Sequence, residues 1–369
     1  MNIKDYAAAT PIEDFVLQAM NPYFTADFYN PSSPYAPAVK VRHEYESAKQ
    51  SLAETIGAKG DELVVTAGAT ESINLAFYGI LGHVVTSSIE HLAVIESARQ
   101  YDHTLIAPDA FGRVSAEAVQ AAITPATERV SIALANNELG TLQPIRDIAK
   151  MVDTERQKRI SQGNNTPILF HCDASQGFDQ IDVHVARLGV DLLTLNSGKM
   201  YGPKQVGALW VKRSGAVSPL ILGGGQERGL RSGTENVSGL IGFSAAAVYA
   251  RKHQHVIAER LRLYRDTLQK NITQHFEKAI VLGAKKYRLP GHLSISLPGI
   301  DAERIVFMLE RQGVYLSTGS ACSANKHTAS HVLTAIGLSS DEINGSIRIT
   351  IGRHTTLEQI GAASEKIVH

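Results

Sequence analysis

Cysteine is scarce in this chain: two residues in 369, Cys172 and Cys322. Two distant thiols supply no disulfide framework, which excludes a stapled secreted scaffold and suits a reducing cytoplasm. No apolar run reaches the roughly 18 residues that a membrane span requires, and Met1-Asn2-Ile3-Lys4-Asp5 carries no signal-peptide core. An excess of charge is missing as well. Lys plus Arg total 36 against 36 for Asp plus Glu, so bulk charge gives no reason to expect nucleic acid or a membrane surface as partner. No internal repeat, low-complexity stretch or metal-ligand spacing is read. What remains is an ordinary globular composition, 44% hydrophobic, in a chain long enough for one large and one smaller domain.

Short β-like runs at 62–66, 83–86, 130–135, 167–172, 191–195 and 206–211 alternate with helical patterns such as 71–80 and 93–99. Strands alternating with helices imply an α/β fold with a mostly parallel sheet. After about Glu235 the pattern changes. A long polar helix over 247–276 would link two domains, and a last helix covers 356–367. Residues 292–297 and 346–351 alternate with period two, which suits a small antiparallel sheet with one face covered by helices.

In such sheets, ligands bind beyond the carboxyl ends of the strands. Thr66-Ala67-Gly68-Ala69-Thr70-Glu71-Ser72 follows one strand and opens a helix, an arrangement that offers free N–H groups to an anion or forms an ordinary cap. Asp173 ends another strand, where a carboxylate can cap a helix or hold a ring nitrogen protonated. Lys199 follows the next, in the tight turn Asn196-Ser197-Gly198-Lys199. Most lysines are solvated surface groups. An aspartate and a lysine on consecutive strand ends, however, are the two protein groups that pyridoxal phosphate (PLP) chemistry demands. His91 could stack on a ring or move protons. Asn136-Asn137-Glu138 supplies amides, and Gly223 to Thr234 is a glycine-rich polar loop without the spacing of a nucleotide loop.

Cys322 lies in Ser317-Thr318-Gly319-Ser320-Ala321-Cys322, followed by Ser323, Ala324, Asn325, Lys326 and His327. Small polar neighbours and nearby cations are the setting of an accessible thiol whose thiolate is favoured, not of a packed one. Cys172 sits within a strand and reads as core.

With these motifs in this order, from Asp5-Tyr6-Ala7-Ala8-Ala9-Thr10-Pro11 to Gly352-Arg353-His354-Thr355-Thr356, the chain resembles the cysteine desulfurases of the class V, fold-type I PLP enzymes. The resemblance implies a large PLP-binding domain over 14–255 with a mostly parallel, seven-stranded sheet. It implies a small α+β domain from 1–13 and 256–369 that carries the cysteine loop. Lys199 would carry PLP as a Schiff base and shuttle the Cα proton. Asp173 would pair with the ring nitrogen, Gln176 with the phenolic oxygen, and His91 with the ring face. Ala69 and Thr70 would bind phosphate, and Thr234 would reach the phosphate of a neighbouring subunit in a homodimer. Asn137 and Arg348 would hold the substrate carboxylate. Cys322 would take sulfur from L-cysteine as a persulfide, leaving L-alanine. The sulfur would then pass to an acceptor protein for iron–sulfur cluster assembly or tRNA thiolation in the cytoplasm.

Two departures stand beside the lysine. The family usually has His immediately before it and Ser or Thr three places before; here Gly198 and Asn196 stand there, with Asn196 and Ser197 as the expected substitutes toward phosphate. Related enzymes that serve scaffolds usually continue past the final helix, whereas this chain stops at His369, so a scaffold would dock around Lys326 and His327. A selenocysteine lyase, another class V lyase, or an inactive structural homologue in a sulfur-transfer complex are the competing readings.

Overall fold

The structure, a computed structural model, describes residues 5–213, 217–318 and 329–369. The large sheet is built from β1 (Leu63–Thr66), β2 (His83–Ser87), β3 (His103–Ile106), β4 (Thr127–Ser131), β5 (Leu169–Asp173), β6 (Leu192–Asn196) and β7 (Gly207–Val211). Its order is β1-β7-β6-β5-β4-β2-β3, parallel except where β7 runs against both β1 and β6. The strands read as unbroken apolar runs because helices cover both faces. Alternate residues serve opposite layers: Leu63, Val65, Leu193, Leu195, Ala208 and Trp210 join one core, while Val64, Leu192, Leu209 and Val211 join the other.

Most expected strands form within a residue or two of their expected limits. The run at 130–135 is displaced: the strand proper is Thr127–Ser131, and its polar start pairs with β2. The apolar remainder still follows β5, with Ile132 N donating to His171 O and Leu134 N to Asp173 O. Cys172 is fully buried in the first core, and burial pushes its thiol well above the ordinary range. That is the setting of a packing residue.

The second sheet comprises β8 (Ile280–Leu282), β9 (His292–Ser296), β10 (Ser317–Thr318) and β11 (Ser346–Thr350), antiparallel in the order β10-β11-β9-β8. Leu293, Ile295, Ile347 and Ile349 pack on helical residues such as Leu261, Leu268, Ile360 and Ile367. The intervening residues, His292, Ser294, Arg348 and Thr350, are also buried. The period-two pattern therefore separates an apolar face from a polar face that is covered by protein rather than water.

Helix Val237–His275 joins the two regions. Its 39 residues extend for about 58 Å at 1.5 Å each, starting ten residues before the expected 247. Leu240, Phe243, Ala247 and Ala250 enter the large core, and Ile257, Leu261, Leu268 and Ile272 enter the small one. Among the described residues, no helix is long and apolar enough to cross a membrane.

The glycine-rich loop is anchored through one buried carboxylate, which pairs with a lysine of helix Ala36–Thr55 and bonds to the edge strand β1. Lys49 Nζ lies 2.6 Å from Glu227 Oε2, with both side chains 5% exposed. The same carboxylate accepts from Tyr45 Oη at 2.5 Å and from Val65 N at 2.9 Å. It thus satisfies a backbone N–H of a strand with no neighbour on that side. Glu227 and Arg228 reach this position with φ of 48° and 60°, a left-handed conformation that side chains adopt at a cost. Lys49→Met leaves the Glu227 carboxylate without its cation and is expected to cost about 3–5 kcal/mol. Adding Glu227→Gln should return part of that loss. Urea denaturation of the three proteins checks this; a Lys49→Met loss below about 1 kcal/mol would contradict the assigned role.

Candidate active site

The carboxyl ends of the parallel strands and the polar face of the small sheet meet around a cavity of about 790 Å³. The strand ends deliver the expected residues to it. After β1, the turn Ala67-Gly68 leads into helix Ala69–Phe77; Gly68 has φ 141° and brings no side chain to cap the first N–H groups. Ala69 and Thr70 line the cavity at this uncapped end. Glu71 bonds back to Ala67 N at 2.8 Å and pairs with Arg231 of the glycine-rich loop at 2.8 Å. Beneath the turn, Gly207 of β7 allows close approach: a Cβ there would stand 2.6 Å from the carbonyl carbon of Gly68.

Asp173 is buried at the end of β5. Its Oδ1 accepts from Ser175 N at 2.9 Å and Ser175 Oγ at 2.5 Å, while Oδ2 has no hydrogen-bond partner among the described residues. Lys199 lies in the short 3₁₀ turn after β6. Its Nζ donates to Ala7 O at 2.7 Å and Ala8 O at 2.5 Å. Gln176 Nε2 donates to the same Ala7 carbonyl at 3.1 Å. His91 follows β2 and caps helix Leu92–Ala98, its Nδ1 accepting from Ala93 N at 3.1 Å. Burial lowers the His91 pKa, against an upward pull from Asp173. A neutral ring that accepts at Nδ1 carries its proton on Nε2.

On the facing wall, Arg348 of β11 is buried. Its Nη1 donates to Asn137 O at 3.1 Å and its Nη2 to Asp5 Oδ2 at 2.7 Å, while Nε is buried without a partner among the described residues. The two asparagines divide their duties. Asn136 is structural, with Nδ2 on Ile89 O and Oδ1 receiving Glu138 N and Leu139 N. Asn137 lines the cavity, and its side-chain amide has no hydrogen bond among the described residues.

The two departures resolve differently. Asn196 lines the cavity; its Oδ1 accepts from Gly198 N at 3.2 Å, and its amide NH2 makes no bond among the described residues. Ser197 does not reach the cavity, contrary to expectation. The chain turns immediately after β6, so its hydroxyl is buried against Gly202, where an added Cβ would collide with it, and has no partner among the described residues. Gly198 has room for a side chain: a Cβ there would meet Lys204 Cγ at 3.5 Å and Asn196 Oδ1 at 3.7 Å, ordinary contacts. Thr234 is exposed and does not line this cavity. Cys322, with Lys326 and His327, lies outside the described residues.

Three acids absent from the sequence-based site surround it. Asp5 holds Arg348 and accepts from Thr350 Oγ1 at 3.1 Å. Glu138 is buried, bonded to Ser330 Oγ at 2.5 Å, and pushed up to about 7 by burial. Glu90, behind His91, accepts from Ser87 Oγ at 2.6 Å and Ala133 N at 3.0 Å, and burial pushes it up to about 8. Asp5 and Glu138 lie within quoted motifs, but their partners Arg348 and Ser330 stand far away in sequence, and Glu90, next to His91, joins nearby Ser87 to distant Ala133. Among the described residues, no cluster of three or more His, Cys, Asp or Glu is placed to hold a metal.

Residues 3–362 match the family model for class-V aminotransferases. That places the chain among enzymes that use PLP. Its sequence is 39% identical over 368 residues to cysteine desulfurase IscS 1 of Archaeoglobus fulgidus, covering 96% of this chain and 93% of that one. It is 37% identical to cysteine desulfurase IscS of Dictyoglomus turgidum, with 96% and 91% covered. The fold matches a NifS-like protein at a TM-score of 0.90 and 30% identity, over 100% of this chain and 98% of that one. A structure described as SspA in complex with cysteine gives a TM-score of 0.82 at 34% identity, over 96% and 100%. The chain belongs to the cysteine desulfurase family.

The cavity fits PLP on its own geometry. The uncapped helix end over the Gly68–Gly207 contact suits a phosphate. The partnerless Asp173 Oδ2 suits a protonated ring nitrogen, and the Lys199 amine stands among the lining residues.

Glu90 yields a pH test. Its folded pKa of about 8 lies above the ordinary 4.5, so its contribution is fully present below 4.5 and is lost as pH rises through about 8. Glu90→Gln removes that slope. The variant should gain stability relative to the parent as pH increases between these limits; parallel curves from denaturation at several pH values would contradict the buried-acid assignment.

Proposed function

We propose that this chain converts L-cysteine to L-alanine with Cys322 as the sulfur acceptor. The observation that carries the reading is the convergence of Lys199 and Asp173, from adjacent strand ends, on one cavity with Arg348. When bound, PLP supplies an electron sink for charge developing at the substrate Cα. Lys199 would be the amine that holds the cofactor and afterwards moves the Cα proton. Asp173 Oδ2 would hold the proton of the ring nitrogen, Gln176 would contact the phenolic oxygen, and His91, with its proton on Nε2, would face the ring. Ala69 N–H, Thr70 and the Asn196 amide would hold the phosphate. Arg348 and the Asn137 amide hold the substrate carboxylate. The Cys322 thiolate attacks the substrate sulfur; the Sγ–Cβ bond breaks, the new S–S bond forms, and the carbon side takes up a proton to become alanine.

The proposed division into 14–255 and 1–13 with 256–369 draws its support from the change of packing partner along helix Val237–His275. A homodimer in the cytoplasm is the proposed working unit. Its support is the glycine-rich loop, where Thr234 is exposed and Leu222 is 79% exposed beside it. The persulfide sulfur passes to an acceptor protein of the iron–sulfur or tRNA-thiolation type.

The purified holoenzyme should be yellow and release alanine from L-cysteine, and borohydride should fix the cofactor to the Lys199 peptide. Cys322→Ser should retain the chromophore and lose sulfur transfer, while Cys172→Ser keeps both. A label on Lys204, or a fully active Cys322→Ser, would overturn the assignment.

The Gly198 departure gives a second expectation. A Cβ is accommodated there, and a histidine that reached the phosphate would add a hydrogen bond to a charged group, worth about 1.5–3 kcal/mol. Gly198→His, alone or with Asn196→Ser, should tighten PLP by about tenfold. Absorbance titration of apoenzyme measures it, and an unchanged dissociation constant would mean that Asn196 already satisfies the phosphate.

A further inference from the structure

The described structure stops at Thr318 and resumes at Ala329, on either side of the residues that include Cys322. Both borders are tied to the wall that would hold the substrate carboxylate. On the entering side, β10 pairs with β11 so that Ser317 stands opposite Arg348. On the leaving side, Ser330 is 2% exposed and its hydroxyl performs two tasks. It accepts from Leu333 N as the cap of helix His331–Ala335, and it donates to Glu138 Oε2 at 2.5 Å.

Other contacts seat the same short helix. His331 Nε2 meets the Glu90 carbonyl at 2.9 Å. Val332, Leu333 and Ile336 form a small apolar cluster with Ile89, Leu139 and Leu282, separate from both large cores. The helix therefore rests on the segment that leads to His91 and on the segment that carries Asn137. Apolar contact alone would allow sliding; a short bond between a buried hydroxyl and a buried carboxylate fixes one register. Burying a carboxylate costs far more than burying leucine. Its use here calls for a directional role that packing does not supply.

We propose that Glu138 and Ser330 are positioning residues for sulfur capture, setting where the Cys322 segment rejoins the fold relative to the substrate wall. Neither touches substrate or cofactor. The inference rests on the desulfurase reading above and adds to it the pair on which the sulfur step, rather than cysteine binding, depends.

The test uses holoenzyme and two readouts: the absorbance change on adding L-cysteine, which reports binding, and single-turnover loading of sulfur on Cys322. Ser330→Ala should leave the half-saturation of the absorbance change within about twofold and slow sulfur loading by about tenfold, the loss of a charge-assisted bond. Ser330→Gly keeps a competent helix cap but not the hydroxyl, so it should be equally slow. Ser330→Thr should restore loading to within about threefold. Glu138→Gln, which retains an acceptor, should do the same where Glu138→Met does not. Unchanged loading in Ser330→Ala and Ser330→Gly overturns the proposal. So does a normal Ser330→Gly beside a slow Ser330→Ala, which would reduce the role to helix capping. A parallel loss of cysteine binding in the serine variants also overturns it. If the parent enzyme itself shows no absorbance change and no sulfur loading, the desulfurase reading falls and takes this one with it.

Discussion

The site depends on six residues at the start of the described chain. Between Asp5 and Thr10 the backbone crosses from the small sheet to the large one and makes a hydrogen bond at nearly every step. Asp5 holds Arg348 and Thr350, and Ala7 N donates to Thr350 Oγ1 at 3.1 Å. The carbonyls of Ala7 and Ala8 receive the Lys199 ammonium. Thr10 donates to Gly198 O through both N and Oγ1, and its Oγ1 accepts from Tyr201 N. The strap thereby sets the distance between the cation of one sheet and that of the other. A neutral backbone carbonyl holds an amine less strongly than a carboxylate would.

The two faces of the small sheet explain how a polar wall survives in the interior. Arg348, His292 and Thr350 occupy alternate positions whose neighbours in sequence are isoleucine and leucine. A slip of one residue in the pairing of β9 and β11 would place Ile347 and Ile349 against the cavity and send the arginine into the apolar core. The apolar face thus fixes the aim of the guanidinium as firmly as its hydrogen bonds do. His292 is the unusual member of this wall. Burial, with Arg348 and other cations nearby, lowers its pKa to about 3, so it adds a neutral ring to an already positive neighbourhood.

Much of this is legible in the sequence itself. Two-sided burial turns central strands into continuous apolar runs, so β1, β6 and β7 stood out, and the residues just past them marked the cavity. The short edge strands β3 and β10 were not legible, since four and two residues with polar members carry little periodicity. The beginning of β4 was missed because Thr-Glu-Arg looks like a turn until its neighbours are known. Within the site, Lys199, Asp173 and His91 announced themselves through local motifs. Ser197 misled because one step along a tight turn reverses the direction of a side chain. Asp5 with Arg348 and Glu138 with Ser330 are separated by 343 and 192 positions, and only the fold brings each pair together.

The helix from Val237 to His275 has a consequence for how the molecule comes apart. Because one rod supplies packing residues to both cores, neither half can unravel without fraying the other's support. Hydrogen exchange along that rod would slow together across its middle, and a protease would find no soft joint between the halves at the point where two units are usually hinged. The molecule trades independent motion of its two parts for a shared, cooperative opening.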